Sequence, residues 1–148
     1  MADFTERLSE VMCPLDHHHP ILVSRAGAYV SNYVDLSNYH RAWVLINVGV
    51  LGQATTLDAT LQQATDTTGA NAKAIAGKTI TQLTQAGGDG DQILCIELRG
   101  EELDGAGAFD CIGLAFTLQG TAYLSYWIFG CVPRFDEVPV TAWEEIVD

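Results

Sequence analysis

The fold is decided by the segment Ala42-Trp43-Val44-Leu45-Ile46-Asn47-Val48-Gly49-Val50-Leu51, a continuous apolar run. The run is rich in β-branched residues and too short to span a membrane, which predicts a buried central strand. Residues 55–65 then alternate between apolar and polar positions, so one face of this second strand carries Leu57, Ala59 and Leu61. Residues 74–84 resume a strand-like pattern without proline. These segments predict three consecutive strands joined by turns.

Four further segments have the pattern of strands. Residues 21–34 are mostly apolar and are interrupted at residues 24–27, and residues 92–99 follow a loop rich in glycine and aspartate. Residues 109–119 and 122–132 are separated by a short glycine-containing connection, which predicts a hairpin. No crossover helices are available for a parallel sheet, so two packed antiparallel sheets or a barrel are favoured. We predict an all-β fold, an antiparallel β-sandwich that is jelly-roll-like.

The N-terminal segment is predicted to lie outside this sandwich. Residues 3–12 have apolar positions at the spacing of a short amphipathic helix. Pro14 and Pro20 prevent its continuation, because proline lacks an N–H and keeps the preceding residue extended. We therefore predict an N-terminal arm or helix over residues 1–20 and a β-sandwich domain over residues 21–148 that folds without the arm. The residues of the arm predicted to bind a partner are Phe4, Leu8, Val11, Met12, His17, His18 and His19.

The charge of the chain restricts its partners. Seven Lys+Arg against nineteen Asp+Glu give a net charge of −12, which repels phosphate backbones and anionic lipids, so we expect neither nucleic acid nor a membrane as partner. The N-terminus lacks the basic and apolar regions of a signal peptide, which predicts synthesis and retention in a cytoplasm. Charged residues make up 18%, below the roughly 25% of an average domain. A surface with so little charge favours contacts with other subunits, although a thick two-sheet core produces part of the same bias.

The residues that could carry chemistry form no convincing site. Adjacent histidines point in different directions, so His17, His18 and His19 hold one metal ion only if a threefold oligomer brings one from each copy to its axis. The acidic turns at residues 89–91 and 101–104 could hold Ca²⁺, but they lack the EF-hand spacing and favour solvated turns. No GxSxG, P-loop, GxGxxG or HExxH motif is found. We predict no catalytic residues, no metal and no cofactor, and hence a protein that is not an enzyme.

The cysteines are predicted to be free thiols. None has CxxC spacing, and three of the four lie inside apolar strand-like runs, where cysteine usually behaves as a small buried hydrophobe. A pair of Cys95 with one of the histidines would be coincidental, because a cysteine inside a strand is more often inert.

Several segments of the chain resemble a family of small virion proteins from tailed bacteriophages. The resemblance covers most of the chain from Tyr29 onward and is carried by turn and strand residues: Tyr29-Val30-Ser31-Asn32-Tyr33-Val34-Asp35-Leu36-Ser37-Asn38-Tyr39-His40-Arg41, Leu61-Gln62-Gln63-Ala64-Thr65-Asp66, Gly77-Lys78-Thr79-Ile80-Thr81-Gln82-Leu83, Glu97-Leu98-Arg99-Gly100-Glu101-Glu102-Leu103-Asp104, Phe109-Asp110 and Pro139-Val140. Members of the family are structural components encoded near the major capsid protein.

The resemblance implies a capsid cement or decoration protein that binds the major capsid protein on the outside of the head. It also implies a location in the virion and, because such proteins usually act at threefold positions, a homotrimer. A neck, tail or head-fibre component is the alternative within virions. An alternative of another class is a carbohydrate-binding or carbohydrate-cleaving β-sandwich, which requires an exposed platform of Tyr123, Tyr126 and Trp127.

Overall fold

The computed structural model describes residues 7–135, 143 and 145 of the chain. Within that part, ten strands follow one helical turn, and two short 3-10 turns, Gly100–Glu102 and Gly105–Gly107, lie between β8 and β9. The elements are α1 (Leu8–Val11), β1 (Met12–Val23), β2 (Gly27–Val30), β3 (Val34–Asp35), β4 (Tyr39–Leu51), β5 (Thr56–Ala64), β6 (Lys73–Thr79), β7 (Leu83–Thr84), β8 (Gln92–Arg99), β9 (Cys111–Gln119) and β10 (Ala122–Pro133). None of the described helices is long and apolar enough to cross a membrane.

The strands form two antiparallel sheets. Sheet A has the order β1-β10-β4-β8, and sheet B has the order β2-β9-β5-β6. The two-residue strands β3 and β7 extend β2 and β6 along the same partners, β9 and β5, so each sheet has four strand positions. The eight strand positions are numbered along the chain, with β2 and β3 counted as one position and β6 and β7 as another. The first position then pairs with the eighth, the second with the seventh, the third with the sixth and the fourth with the fifth. This order is one long hairpin rolled into two sheets, which is a jelly roll, and the predicted all-β, jelly-roll-like sandwich is confirmed.

The core lies between the sheets and is built by alternation along their central strands. Val44, Ile46 and Val48 of β4 are fully buried and face sheet B. The apolar face predicted for residues 55–65 packs against them from β5, with Leu57, Ala59 and Leu61 all buried. The boundaries of β5 and β8 agree closely with the segments predicted from the sequence. By contrast, β4 begins at Tyr39 and not at residue 42, and β6 ends at Thr79 and not at residue 84.

The predicted hairpin between the last two strands is wrong. Although only Gly120 and Thr121 separate β9 from β10, β9 pairs with β2 and β5 in sheet B, whereas β10 pairs with β1 and β4 in sheet A. The connection crosses between sheets because the buried Thr55 holds it. The Oγ1 of Thr55 donates to the carbonyl of Thr121 at 3.0 Å and accepts from its N–H at 3.0 Å.

The N-terminal segment also differs from its prediction. Residues 12–20 do not extend away from the domain but form most of β1, which pairs with β10 of the same chain. β1 tolerates two prolines because it is an edge strand, and Pro14 and Pro20 fall at its two register shifts. The sandwich therefore begins at Met12 and not at residue 21. The helix is a single turn, and the predicted contact residue Phe4 lies outside the described residues.

Candidate binding surface

The two outer faces of the sandwich differ in chemistry. The outer face of sheet B is mainly polar, and its cross-strand pairs from β5 and β9 include Thr56 with Gln119, and Asp58 with Thr117. Its side chains bond to one another: the hydroxyls of Thr60 and Thr79 lie 3.0 Å apart, and Gln82 donates to Asp58 at 2.8 Å. This face is suited to contact with water.

The outer face of sheet A is apolar instead. Because Val44 and its neighbours at even positions of β4 point inward, the odd positions Trp43 and Leu45 point outward. Trp127 of β10 lies directly across from Leu45, and Cys95 of β8 lies on its other side. Ile93 and Tyr123 are 71% and 50% exposed. We call Trp43, Leu45, Ile93, Tyr123 and Trp127 the aromatic face.

One end of the aromatic face meets further aromatic rings. The ring centroids of Trp43 and Phe129 are 5.8 Å apart, and those of Phe129 and Trp143 are 6.4 Å apart. The indole N–H of Trp43 donates to the sulfur of Cys95. The indole nitrogen of Trp143 is buried and has no hydrogen-bond partner among the described residues.

Beyond Trp43, the same face of sheet A carries charges of both signs, with Glu97 directly across from Trp43. Arg41 of β4 lies directly across from Arg99 of β8, and two adjoining clefts of about 650 and 700 Å³ are lined by both. His40 and Arg134 also line the larger cleft. We call His40, Arg41, Arg99 and Arg134 the arginine cluster.

The predicted partner-binding residues lie in different environments. Leu8 is 67% exposed, Val11 is half-buried, and Met12 is buried. His17 is exposed and pairs with Trp127, while His18 pairs with Tyr126 in the β1–β10 register. Whether these residues contact a partner stays a prediction.

The three histidines do not converge on one point. The ring of His19 stacks on that of His18 with centroids 4.8 Å apart, and His17 is in contact with neither ring. His18 lines a cleft of about 390 Å³ between β1 and β2, where Tyr29 and Phe116 form part of the apolar wall. A metal site within one chain is therefore not formed by these imidazoles.

The predicted sugar platform is not formed. Tyr126 is only 6% exposed and faces the core, whereas Tyr123 and Trp127 point to the opposite side of the sheet. The hydroxyl of Tyr126 donates to Asp16 at 3.3 Å. Burial raises the pKa of this phenol to about 12, with a smaller contribution from the charge of Asp16. Tyr126 is thus a structural residue, and no more than two of the three aromatics could meet a ligand.

The acidic turns are explained by partners within the chain. Asp89 accepts from the N–H of Thr84 at 2.9 Å, Glu102 pairs with Lys78 at 2.9 Å, and Asp104 pairs with Lys73 at 2.6 Å. The pKa of Glu102 is lowered, chiefly by the hydrogen bond from the backbone N–H of Arg99. The pKa of Asp104 is lowered as well, chiefly by the hydrogen bond from the side chain of Lys73. These carboxylates cap turns and hold the loop after β8.

One group of possible metal ligands is found among the described residues. Donor atoms of Asp35, Asp110 and Cys111 lie within 4.8 Å of one another. Burial, followed by the hydrogen bond to Asp110, raises the pKa of the Cys111 thiol to about 12. Binding of a metal ion here would require loss of the thiol proton that Cys111 donates to Asp110 at 3.3 Å.

Two features of this surface were not predicted. The aromatic face had a signal in the sequence, because residues 42–46 of β4 are apolar at odd and even positions alike. The exposed Asn47 is the first polar residue that follows on the outer side. The arginine cluster had none, because Arg41, Arg99 and Arg134 are distant in sequence and are brought together only by the pairing of β4 with β8 and β10.

Comparisons with known proteins find structural likeness only. No protein-family model matches the sequence, and neither does any curated protein. A chain of the cowpea mosaic virus top component, a naturally occurring empty particle, is 10% identical with a TM-score of 0.45 over 88% of this chain and 94% of that chain. Turnip yellow mosaic virus gives 11% identity and a TM-score of 0.36 over 93% and 89%.

A third solved structure is the xylanase 10B of Clostridium thermocellum, whose CBM22-1 and GH10 modules are complexed with xylohexaose. It gives 13% identity and a TM-score of 0.39 over 87% of this chain and 28% of that chain. Likeness at these identities concerns the fold alone.

Proposed function

We propose that this protein is a non-enzymatic capsid decoration, or cement, protein of a tailed bacteriophage. In this role it binds the major capsid protein on the outer surface of the head as a homotrimer and stabilises the shell. The observation that carries the proposal is the aromatic face, an exposed apolar surface on one side only of a two-sheet domain. Exposed apolar patches of this kind mark protein–protein contacts, and Trp and Tyr are enriched at the centre of such contacts.

The physical requirements of a cement protein fit this surface. Ile93 and Tyr123 are exposed on strands β8 and β10 of sheet A, so both side chains are already accessible to a partner. Full burial of one such side chain contributes roughly 1.5–3 kcal/mol relative to exposure, and less where the side chain is already half-buried, as Trp127 is. Three copies in a trimer would multiply a modest contact, because the second and third contacts form within one complex. The polar face of sheet B would then remain in water.

The chemistry of the described residues supports a role without catalysis. No hydrogen bond joins a cysteine, serine or threonine to a histidine in the described ranges, and burial raises the pKa of the Cys111 thiol. A component of the neck, tail or head fibre would use the same aromatic face. It would differ from a decoration protein in the number of copies per particle.

The experiment is to measure copy number and position in purified particles of the phage that encodes the chain. Quantitative mass spectrometry should give a fixed ratio to the major capsid protein, and immunogold labelling should mark the heads. If only a few copies are found per particle and the label marks the neck or tail, the proposed location on the head is wrong and the neck or tail takes its place. Particles without the protein would contradict a role in the virion.

Carbohydrate binding is a second candidate, favoured by one observation. Tyr123 and Trp127 lie on the same face, and jelly rolls also occur as lectin domains. A glycan array decides between the two: we expect no signal, and a signal lost in Tyr123→Ala would favour the sugar-binding function.

A further inference from the structure

The cleft between β1 and β2 opens into the interior of the sandwich. β1 is the edge strand of sheet A and β2 is the edge strand of sheet B, and the chain passes from one to the other through residues 24–26. Because these strands pair with β10 and β9, no backbone ladder among the described strands closes the gap between the sheets on this side. Tyr29 and Phe116 pack against the core there and yet are only half-buried. The volume of the cleft, about 390 Å³, is typical of small-molecule sites.

Aromatic rings line the cleft from both sheets. On the side of sheet B, the rings of Tyr29 and Phe116 stack with centroids 5.1 Å apart and an angle of 17° between their planes. On the side of sheet A, the rings of His18 and Tyr126 have centroids 5.8 Å apart. Such walls favour a flat aromatic ring, which can stack on them, over a saturated ring of the same carbon number.

The exposed rim of the cleft carries a positive charge. Arg25 lines the cleft, is exposed, and forms no ion pair with the described residues. The hydroxyl of Tyr29 donates to the carbonyl of Arg25 at 2.6 Å, which fixes the backbone of this loop beside the cleft. None of the described residues that line the cleft is a carboxylate. The nearby Asp16 accepts hydrogen bonds from Tyr126 at 3.3 Å and from Asn32 at 3.1 Å.

We propose that this cleft is a binding site for a small aromatic carboxylate, whose ring packs against the aromatic walls and whose carboxylate accepts hydrogen bonds from Arg25. The planar guanidinium group offers two parallel N–H donors to a carboxylate. The Nδ1 of His18 lies 2.9 Å from the carbonyl oxygen of His19, which can only accept, so Nδ1 carries a proton. The Nε2 of His18 is then left for a polar substituent of the ligand.

The charge of the whole molecule makes the expected preference specific to the cleft. A net charge of −12 disfavours any anion near the protein. A bound carboxylate must therefore gain more from Arg25 than it loses to this field, whereas an uncharged amide on the same ring loses nothing to it. A preference for the acid over the amide would thus come from the cleft and not from a general attraction for anions.

Three matched probes test the class of ligand: naphthylacetate, its uncharged amide naphthylacetamide and its saturated analogue decalinylacetate. Naphthylacetate should bind the full chain with a dissociation constant of about 1 mM or lower, measured by NMR titration at about 150 mM salt. The amide should bind at least about tenfold more weakly, and the saturated analogue at least about threefold more weakly. The amide signals that shift should belong to residues 18–30 and Phe116, and not to Ile93 or Tyr123.

One substitution identifies the partner of the carboxylate. Arg25→Gln removes the charge at an exposed position, so it should leave the thermal unfolding of the protein unchanged. It should weaken the binding of naphthylacetate by at least about tenfold and leave the binding of naphthylacetamide unchanged. Arg41→Gln is the matched control, because Arg41 pairs with Arg99 away from the cleft, and it should bind both probes as the original chain does.

The same titrations can overturn the proposal. It is wrong if naphthylacetate shifts no signal at about 10 mM, or if it binds Arg25→Gln as tightly as it binds the original chain. Shifts confined to Ile93 and Tyr123 would place the probe on the aromatic face and would also overturn it. None of these measurements involves heads, so their outcome is independent of the proposed capsid role.

Discussion

The ring of Tyr39 lies directly against the backbone of Gly130: a Cβ built on Gly130 would lie 2.6 Å from two of its ring atoms. Tyr39 begins β4 and is buried, and Gly130 lies near the end of β10, where it pairs with Ala42. The close contact fills the core at the end of the sandwich that carries the arginine cluster. A glycine is required in β10 for this reason and not for an unusual backbone conformation.

Substituting Gly130→Ala should therefore destabilise the protein. The added methyl group meets a buried ring that has no free space to move into, and overpacking of this kind costs about 1–3 kcal/mol. Urea unfolding measures the loss. Gly105→Ala is the control, since nothing lies within 4 Å of a Cβ there; an equal effect in both variants would contradict the packing argument.

Thr55→Val should also destabilise, through hydrogen bonds. The two bonds that Thr55 Oγ1 makes with the backbone of Thr121 are lost. The Thr121 carbonyl still accepts from the Gly52 N–H at 2.8 Å, but the Thr121 N–H loses its acceptor, which costs about 1–3 kcal/mol. Thr117→Val, on the exposed face of sheet B, should change the free energy of unfolding very little. If both variants unfold at the same urea concentration, Thr55 does not hold the crossing between sheets.

Two truncations separate the N-terminal helix from the first strand. Deleting residues 1–11 should leave stability close to that of the full chain, because no residue of α1 is buried. Deleting residues 1–20 removes most of β1, including the core residue Cys13, which is 2% exposed, and uncovers the edge of β10. Thermal unfolding should show a large loss for the longer deletion only. Equal stability of the two truncated chains would restore the original prediction that residues 1–20 are dispensable for folding.

Stability should fall at high pH. Burial raises the pKa of Cys111 from 9.0 to about 12 and that of Cys131 from 9.0 to about 11. The folded state thus holds these protons more tightly than the unfolded state, so their contribution is complete below pH 9 and is lost as the pH rises toward 11–12. Urea unfolding between pH 8 and pH 11 should show this decline, and Cys111→Ala should make it shallower. A decline that is unchanged in Cys111→Ala would exclude this thiol as a cause.

The strands and the sandwich could be predicted from the sequence because they depend on local patterns. Alternation along residues 55–65 fixes which side chains of β5 face the core, and the continuous run of β4 indicates a central strand. Strand pairing depends on contacts remote in sequence. The connection at Gly120 has the composition of a hairpin turn, but Thr55, far away in the chain, directs it across to the other sheet.

The same distinction between local patterns and contacts remote in sequence applies to the candidate binding surface. Pro14 and Pro20 correctly indicated extended backbone, but nothing local to them shows that the segment finds β10 of its own chain. The arginine cluster depends on register, since shifting β8 by one residue against β4 would move Arg99 to the other face. Residue patterns therefore predict elements, while sites assembled by register require the structure.

The central claim, that the aromatic face docks the protein on a capsid, is tested most directly by cosedimentation of purified variants with heads that lack the protein. Ile93→Lys places a charge on the aromatic face at a side chain that is 71% exposed, so it should leave the fold intact and weaken binding by at least about tenfold. Val30→Lys makes the matched change on sheet B, where Val30 is 52% exposed, and should bind as the original chain does. Equal binding of both variants, or loss of binding in Val30→Lys alone, would contradict the account.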